Sequence, residues 1–111
     1  MDRNLRKAAL TEYRERKPDA GIFAVRCAAS GEAWVGRAPG LAAIRNRVFF
    51  ELRQGSSKHR GMQAAWNAHG ADSFSFEVLE QPDEDVLGLS PDRALKALQA
   101  RWAQELGAAT L

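Results

Sequence analysis

Apolar positions recur along the chain at two alternating spacings. In "RNLRKAALTEYRER" (3–16), Leu5, Ala8, Ala9 and Tyr13 fall at helical intervals with charges between them, predicting an amphipathic helix. Pro18, within "KPDAG", ends that pattern, because proline disfavours helical backbone in the residue before it. Two short strands follow, Ile22–Cys27 and Glu32–Gly36, joined by "AASG", where Gly31 is free to adopt positive φ. "RAPG" breaks the chain. Helical spacing returns in "LAAIRNRVFFELRQ" (41–54), with Leu41, Ile44, Val48, Phe49 and Leu52 on one stripe and Gly55 as the stop.

The second half carries the same two rhythms. A polar, basic loop, "SSKHRG", leads to a short helix at about 61–69, where Met62, Ala65, Trp66 and His69 share a face. Gly70 stands at its expected left-handed cap. "SFSFEVLE" (73–80) alternates Phe74, Phe76 and Val78 with Ser75 and Glu77, predicting a half-buried third strand. "QPDEDVLGL" reads as an acidic loop. The closing helix has Ser90 as N-cap, Pro91 at its first position, Asp92 in its first turn and Gly107 after its end. Leu95, Leu98, Trp102 and Leu106 form its expected buried stripe. The order α–β–β–α–α–β–α predicts an α+β fold: a small three-stranded antiparallel sheet flanked by helices, with 3–16 as an added N-terminal helix.

Composition narrows the class. At 111 residues, 45% apolar and 27% charged, the chain suits one globular domain over 1–111. No apolar run approaches the roughly 18 residues of a membrane span, and "MDRNLRK" leads into no signal-peptide core. A lone Cys27 excludes an intrachain disulfide and a Cys-rich metal site, and its place in a strand predicts a buried thiol. These features point to a cytoplasmic protein with no membrane partner.

Charge divides the chain. Residues 1–60 hold 13 Lys/Arg against 6 Asp/Glu, a balance of +7, whereas 61–111 hold 3 against 8, a balance of −5. Such asymmetry predicts one surface that attracts phosphate. Arg37, Arg45, Arg47, Arg53, Lys58, His59 and Arg60 are the candidate track, with Glu51 alone among them.

The stretch from Gly21 to about Leu106 resembles the GIY-YIG nuclease family. "GIF" (21–23) stands where the family writes Gly-Ile-Tyr, and "WVG" (34–36) where it writes Tyr-Ile-Gly. "LRQG", "MQAAWNAHG" and "FSFEVLE" then follow in the family's order. The resemblance implies the family's fold over 21–106, and phosphodiester cleavage with one divalent metal. In that chemistry the first tyrosine activates or positions the attacking water and the second assists through its hydroxyl. An arginine on the next helix stabilises phosphorane charge, and a glutamate on a later helix holds the metal. An in-line nucleophile, a Lewis acid and a cationic clamp are the general needs of phosphoryl transfer.

Carried onto this chain, those four places hold Phe23, Trp34, Ile44 and Gln99. Phe23 has no hydroxyl, and the Trp34 indole donates but does not accept. Ile44 belongs to the apolar stripe, with Arg45 about 100° further around the helix. Gln99 offers a neutral amide where the metal needs a carboxylate. Phe23, Trp34, Arg45, His59 and Asn67 are therefore site positions, with Phe23 and Trp34 reading as packing pieces. Asn67 follows Trp66 as a family asparagine does, and either orients a phosphate or satisfies a backbone group. His69, in a helix's last turn, reads as structural. Positioned acid–base catalysis is worth roughly 10²–10⁴-fold and charge stabilisation about 10²–10³-fold per group.

Losing them together predicts a domain that engages nucleic acid, DNA in the first instance, with hydrolysis weak or lost. No cofactor is expected, and Mg²⁺ or Mn²⁺ only if the chain is active. Two alternatives stay open. One is a nuclease using Arg45, His59 and Glu77 or Glu80. The other is a protein-interaction module that uses the N-terminal helix or the acidic "QPDEDV" loop.

Overall fold

The computed structural model describes Asp19–Leu111, so the helix expected over 3–16 lies outside the described residues. β1 (Gly21–Cys27) and β2 (Glu32–Ala38) pair antiparallel, with Phe23 opposite Gly36 and Val25 opposite Trp34. Gly31 closes their turn at φ +77, a left-handed backbone conformation that residues with a side chain adopt only at a cost in strain. β3 (Phe74–Glu80) lies antiparallel on the other side of β1, with a register shift between Ile22 and Phe23.

A fourth strand departs from the three expected. β4 (Ala109–Thr110) runs parallel beside β2, giving the order β3-β1-β2-β4. Gly107, left-handed at φ 62, turns the chain back, and Leu111 N–H donates to the Val35 carbonyl at 2.8 Å. Two residues are too few for an alternating pattern to show in a sequence.

Among the described residues, four α-helices pack on this sheet. α1 (Leu41–Gln54) and α2 (Arg60–His69) cover one face. Gly70 follows α2 at φ 82, ψ 171, not in the left-handed cap its position suggests. α3 (Glu84–Leu87) is a single turn within the segment that reads as an acidic loop; Asp83 Oδ1 accepts from Val86 N–H at 3.0 Å, and Leu87 is buried. α4 (Pro91–Leu106) packs on the second face. Ser90 occupies its cap position, but the hydroxyl makes no cap bond.

The core is therefore double. On the α1/α2 face, Phe23, Val25, Cys27 and Trp34 meet Val48, Leu52, Met62 and Ala65. On the α4 face, Ile22 and Val35 meet Leu87, Leu95 and Ala103. Cover on both faces explains why β1 is buried at consecutive positions instead of alternate ones. It also shifts the buried line of α4: Leu95, Gln99 and Ala103 lie at its centre, and the expected Leu98, Trp102 and Leu106 flank it partly buried.

Candidate functional site

The two motif strands end at a cleft of about 500 Å³ between α1, the loop before α2 and the start of α4. Its floor is apolar: Phe23, Ile44, Val48, Met62 and Leu95. Arg37, Arg47, Lys58 and His59 stand at its rim with two carboxylates, Glu51 and Asp92.

Phe23 is packed by geometry specific to this hairpin. Its ring stacks on Phe76 with centroids 5.0 Å apart and crosses to Gly36 on β2. A Cβ at residue 36 would collide with that ring, so the glycine gives the aromatic its place. Trp34 lies on the same face, 2% exposed, stacked on Phe74 with centroids 6.0 Å apart and met edge-on by His59 at 6.2 Å. Phe49 and Trp66 extend this aromatic cluster. Ile44 faces the cleft, and Arg45 turns away to the outer side of α1 beside Arg53.

His59 spends its ring on structure. Nδ1 accepts from Met62 N–H at 3.2 Å, capping α2. That bond occupies the Nδ1 acceptor with the helix cap, so this nitrogen is not free to serve a ligand in the cleft. The cap was not legible beforehand, because histidine is not among the common capping residues. Asn67 is exposed on α2 and accepts from Gln63 Nε2 at 3.0 Å, away from the cleft lining.

Gln99 is 3% exposed and fully bonded. Its Nε2 donates to the Val35 carbonyl at 2.8 Å and to the Leu111 carbonyl at 3.1 Å; its Oε1 accepts from Arg37 Nη1 at 2.6 Å. The amide thus ties α4 to β2 and to the chain end after β4. Arg37 is held a second time, donating from Nε to Asp92 Oδ1 at 3.1 Å. A polar residue at the centre of a buried helix line was the available signal, and its identity as an amide explains why donation in two directions is possible.

The two outer carboxylates stand elsewhere. Glu77 pairs with Arg26 at 3.0 Å, and Glu80 accepts from Arg101 at 3.1 Å and from Trp102 Nε1 at 2.8 Å. Neither lines the cleft, so Arg45, His59 and these glutamates are not brought together. Among the basic residues, Arg47 pairs with Glu51 at 3.3 Å, while Arg45, Arg53, Lys58 and Arg60 have no ion-pair partner among the described residues. No described helix is long and apolar enough to cross a membrane.

No protein-family model and no curated sequence matches the chain. Its likeness lies in three dimensions. The catalytic domain of homing endonuclease I-TevI superposes with a TM-score of 0.69 at 21% identity, over 83% of this chain and 97% of that one. A mutant catalytic domain of the intron endonuclease I-TevI gives 0.66 at 22%, over 79% and 84%. The chain has the GIY-YIG nuclease fold.

Within the GIY-YIG frame, the fit of a divalent metal can be tested on the residues present. A hard cation needs several oxygen ligands with negative charge among them. At the expected position Gln99 Oε1 already accepts from a guanidinium and Nε2 presents hydrogens. Among the described residues no three His, Cys, Asp or Glu side chains come together in a metal-binding group. The residues do not fit the metal.

Proposed function

We propose that the chain is a GIY-YIG-fold domain that engages nucleic acid, DNA in the first instance, through the basic residues of α1 and the loop before α2, and that phosphodiester hydrolysis is weak or lost. One observation carries the reading. The positions that would hold hydroxyls, a guanidinium and a carboxylate hold two packed rings, an aliphatic side chain and a bonded amide, while Arg45, Arg53, Lys58 and Arg60, on α1, the loop after it and the start of α2, lack ion-pair partners among the described residues. Backbone phosphates are the partner that such cations recognise, by charge and independently of sequence. The rim pairs Arg37–Asp92 and Arg47–Glu51 are solvent-accessible, so a phosphate competes with them at small cost.

The test is the salt dependence of binding to labelled DNA. Contact with about three phosphates gives a slope of log affinity against log salt of roughly −2 to −3. Changing Arg45, Arg47 and Arg60 together to Ala flattens it. Absence of binding to any nucleic acid at low salt would favour the protein-interaction reading. That reading draws on Val86 and Leu89, 53% and 104% exposed beside the acidic turn of α3.

A further inference from the structure

We propose that the outer face of α1 is a stacking site for an unpaired stretch of DNA, with Phe50 as the platform and Arg47 and Arg53 on the flanking phosphates. The inference rests on the nucleic-acid reading above and adds the form of the ligand and the residue that meets the base. Phe49 and Phe50 are neighbours with opposite fates. Phe49 turns inward onto Trp66 and Phe76, at centroid distances of 6.1 and 6.4 Å. Phe50 turns outward and is 56% exposed in mid-helix.

Single exposed apolar residues are common and by themselves carry no message. Phe50 differs in its setting. Arg47 and Arg53 stand three residues before and after it, so their side chains project beside the ring on adjacent turns. Asn46, one turn back, shares the same shallow groove. Arg53 has no ion-pair partner among the described residues, and Arg47 has one solvent-exposed pair. An aromatic face between two cations suits a base and its phosphates, since stacking supplies sequence-tolerant affinity and the guanidiniums track the backbone.

The groove is also continuous with the cleft. Arg47 lines both, so one strand can leave the cleft rim over Arg47 and lay its next base on Phe50. A duplex offers no such contact, because the faces of its bases are covered by their neighbours. The ring therefore selects an unpaired strand.

The experiment measures affinity of the full chain at low salt for four probes. They are a short oligodeoxynucleotide, its duplex, an abasic deoxyribose-phosphate oligomer and the RNA of the same sequence. Wild type should bind the single DNA strand most tightly. Phe50→Ala should weaken that binding about 5- to 100-fold, the range base–aromatic stacking contributes. It should leave the duplex and the abasic oligomer unchanged. Phe50→Leu should behave like Phe50→Ala despite its similar hydrophobicity, whereas Phe50→Trp should retain affinity. Arg53→Ala should reduce the salt slope for the single strand by about 0.7. Equal losses on abasic and base-bearing strands, or tighter binding of duplex or RNA, would overturn the stacking site while leaving nucleic-acid engagement standing. Binding to none of the probes would defeat both.

Discussion

The two faces of the sheet treat the positions that the family resemblance singles out differently. On the α1/α2 face, the places expected to carry hydroxyls are occupied by Phe23 and Trp34, stacked into an aromatic cluster with Phe76 and Phe74. On the α4 face, the place expected to carry the metal ligand is occupied by Gln99, whose three hydrogen bonds join α4, β2 and the chain end. Both faces bury apolar side chains, and the α4 face adds a satisfied polar node. Polar groups on the first would be surplus; polar groups on the second are required, since each buried carbonyl left unpaired costs about 1–3 kcal/mol.

That contrast can be broken most forcefully at the tryptophans. Trp34→Ala should cost roughly 3–5 kcal/mol, read by denaturant unfolding, because it empties the centre of the aromatic cluster. Trp102→Ala, on a partly buried ring bonded to Glu80, should cost about half as much. Equal costs would mean that the two faces are not built differently.

Gln99→Glu comes next. A carboxylate cannot donate to Val35 and Leu111, and its gain is a closer ion pair with Arg37. The expected net loss is about 2 kcal/mol, with no rise in melting temperature on adding Mn²⁺. A stabilised variant that Mn²⁺ stabilises further would show that the node is a metal site one atom away from repair.

The smallest effect is expected at His59. Replacing it by Ala removes the cap of α2 and should cost about 1 kcal/mol, and Asn should recover most of it. Failure of Asn to rescue would assign the loss to the contact with Trp34 instead.

Much of this molecule was legible in its residues. The hairpin, α1 with Ile44 on its apolar stripe, and the last helix all follow from spacing and punctuation, whereas Arg45, expected among the site positions, stands on the outer side of α1. What escaped has physical causes. β4 is two residues long, α3 is one turn, and neither displays a period. The role of Gln99 depends on Val35 and Leu111, 64 and 12 residues distant, and no local pattern encodes that meeting. The stripe Leu41, Ile44, Val48, Phe49 and Leu52 leaves Phe50 off the buried face, but spacing alone attaches no partner to an exposed ring. The basic track divides likewise: the sequence groups Arg37 with Arg45 and Arg53, but the fold places Arg37 beside Gln99 and Asp92, and Arg45 and Arg53 on the outer side of α1.

The central proposal is that this chain, with the nuclease fold, engages nucleic acid and does not cleave it. The most direct measurement follows binding and cleavage of labelled single-stranded and plasmid DNA in one sample with Mg²⁺ or Mn²⁺, beside a mock purification. The account predicts salt-dependent binding that chelator leaves unchanged, with the DNA intact after prolonged incubation. Metal-dependent cleavage that co-purifies with the wild-type chain, and is abolished by Glu77→Gln or Glu80→Gln, would contradict it.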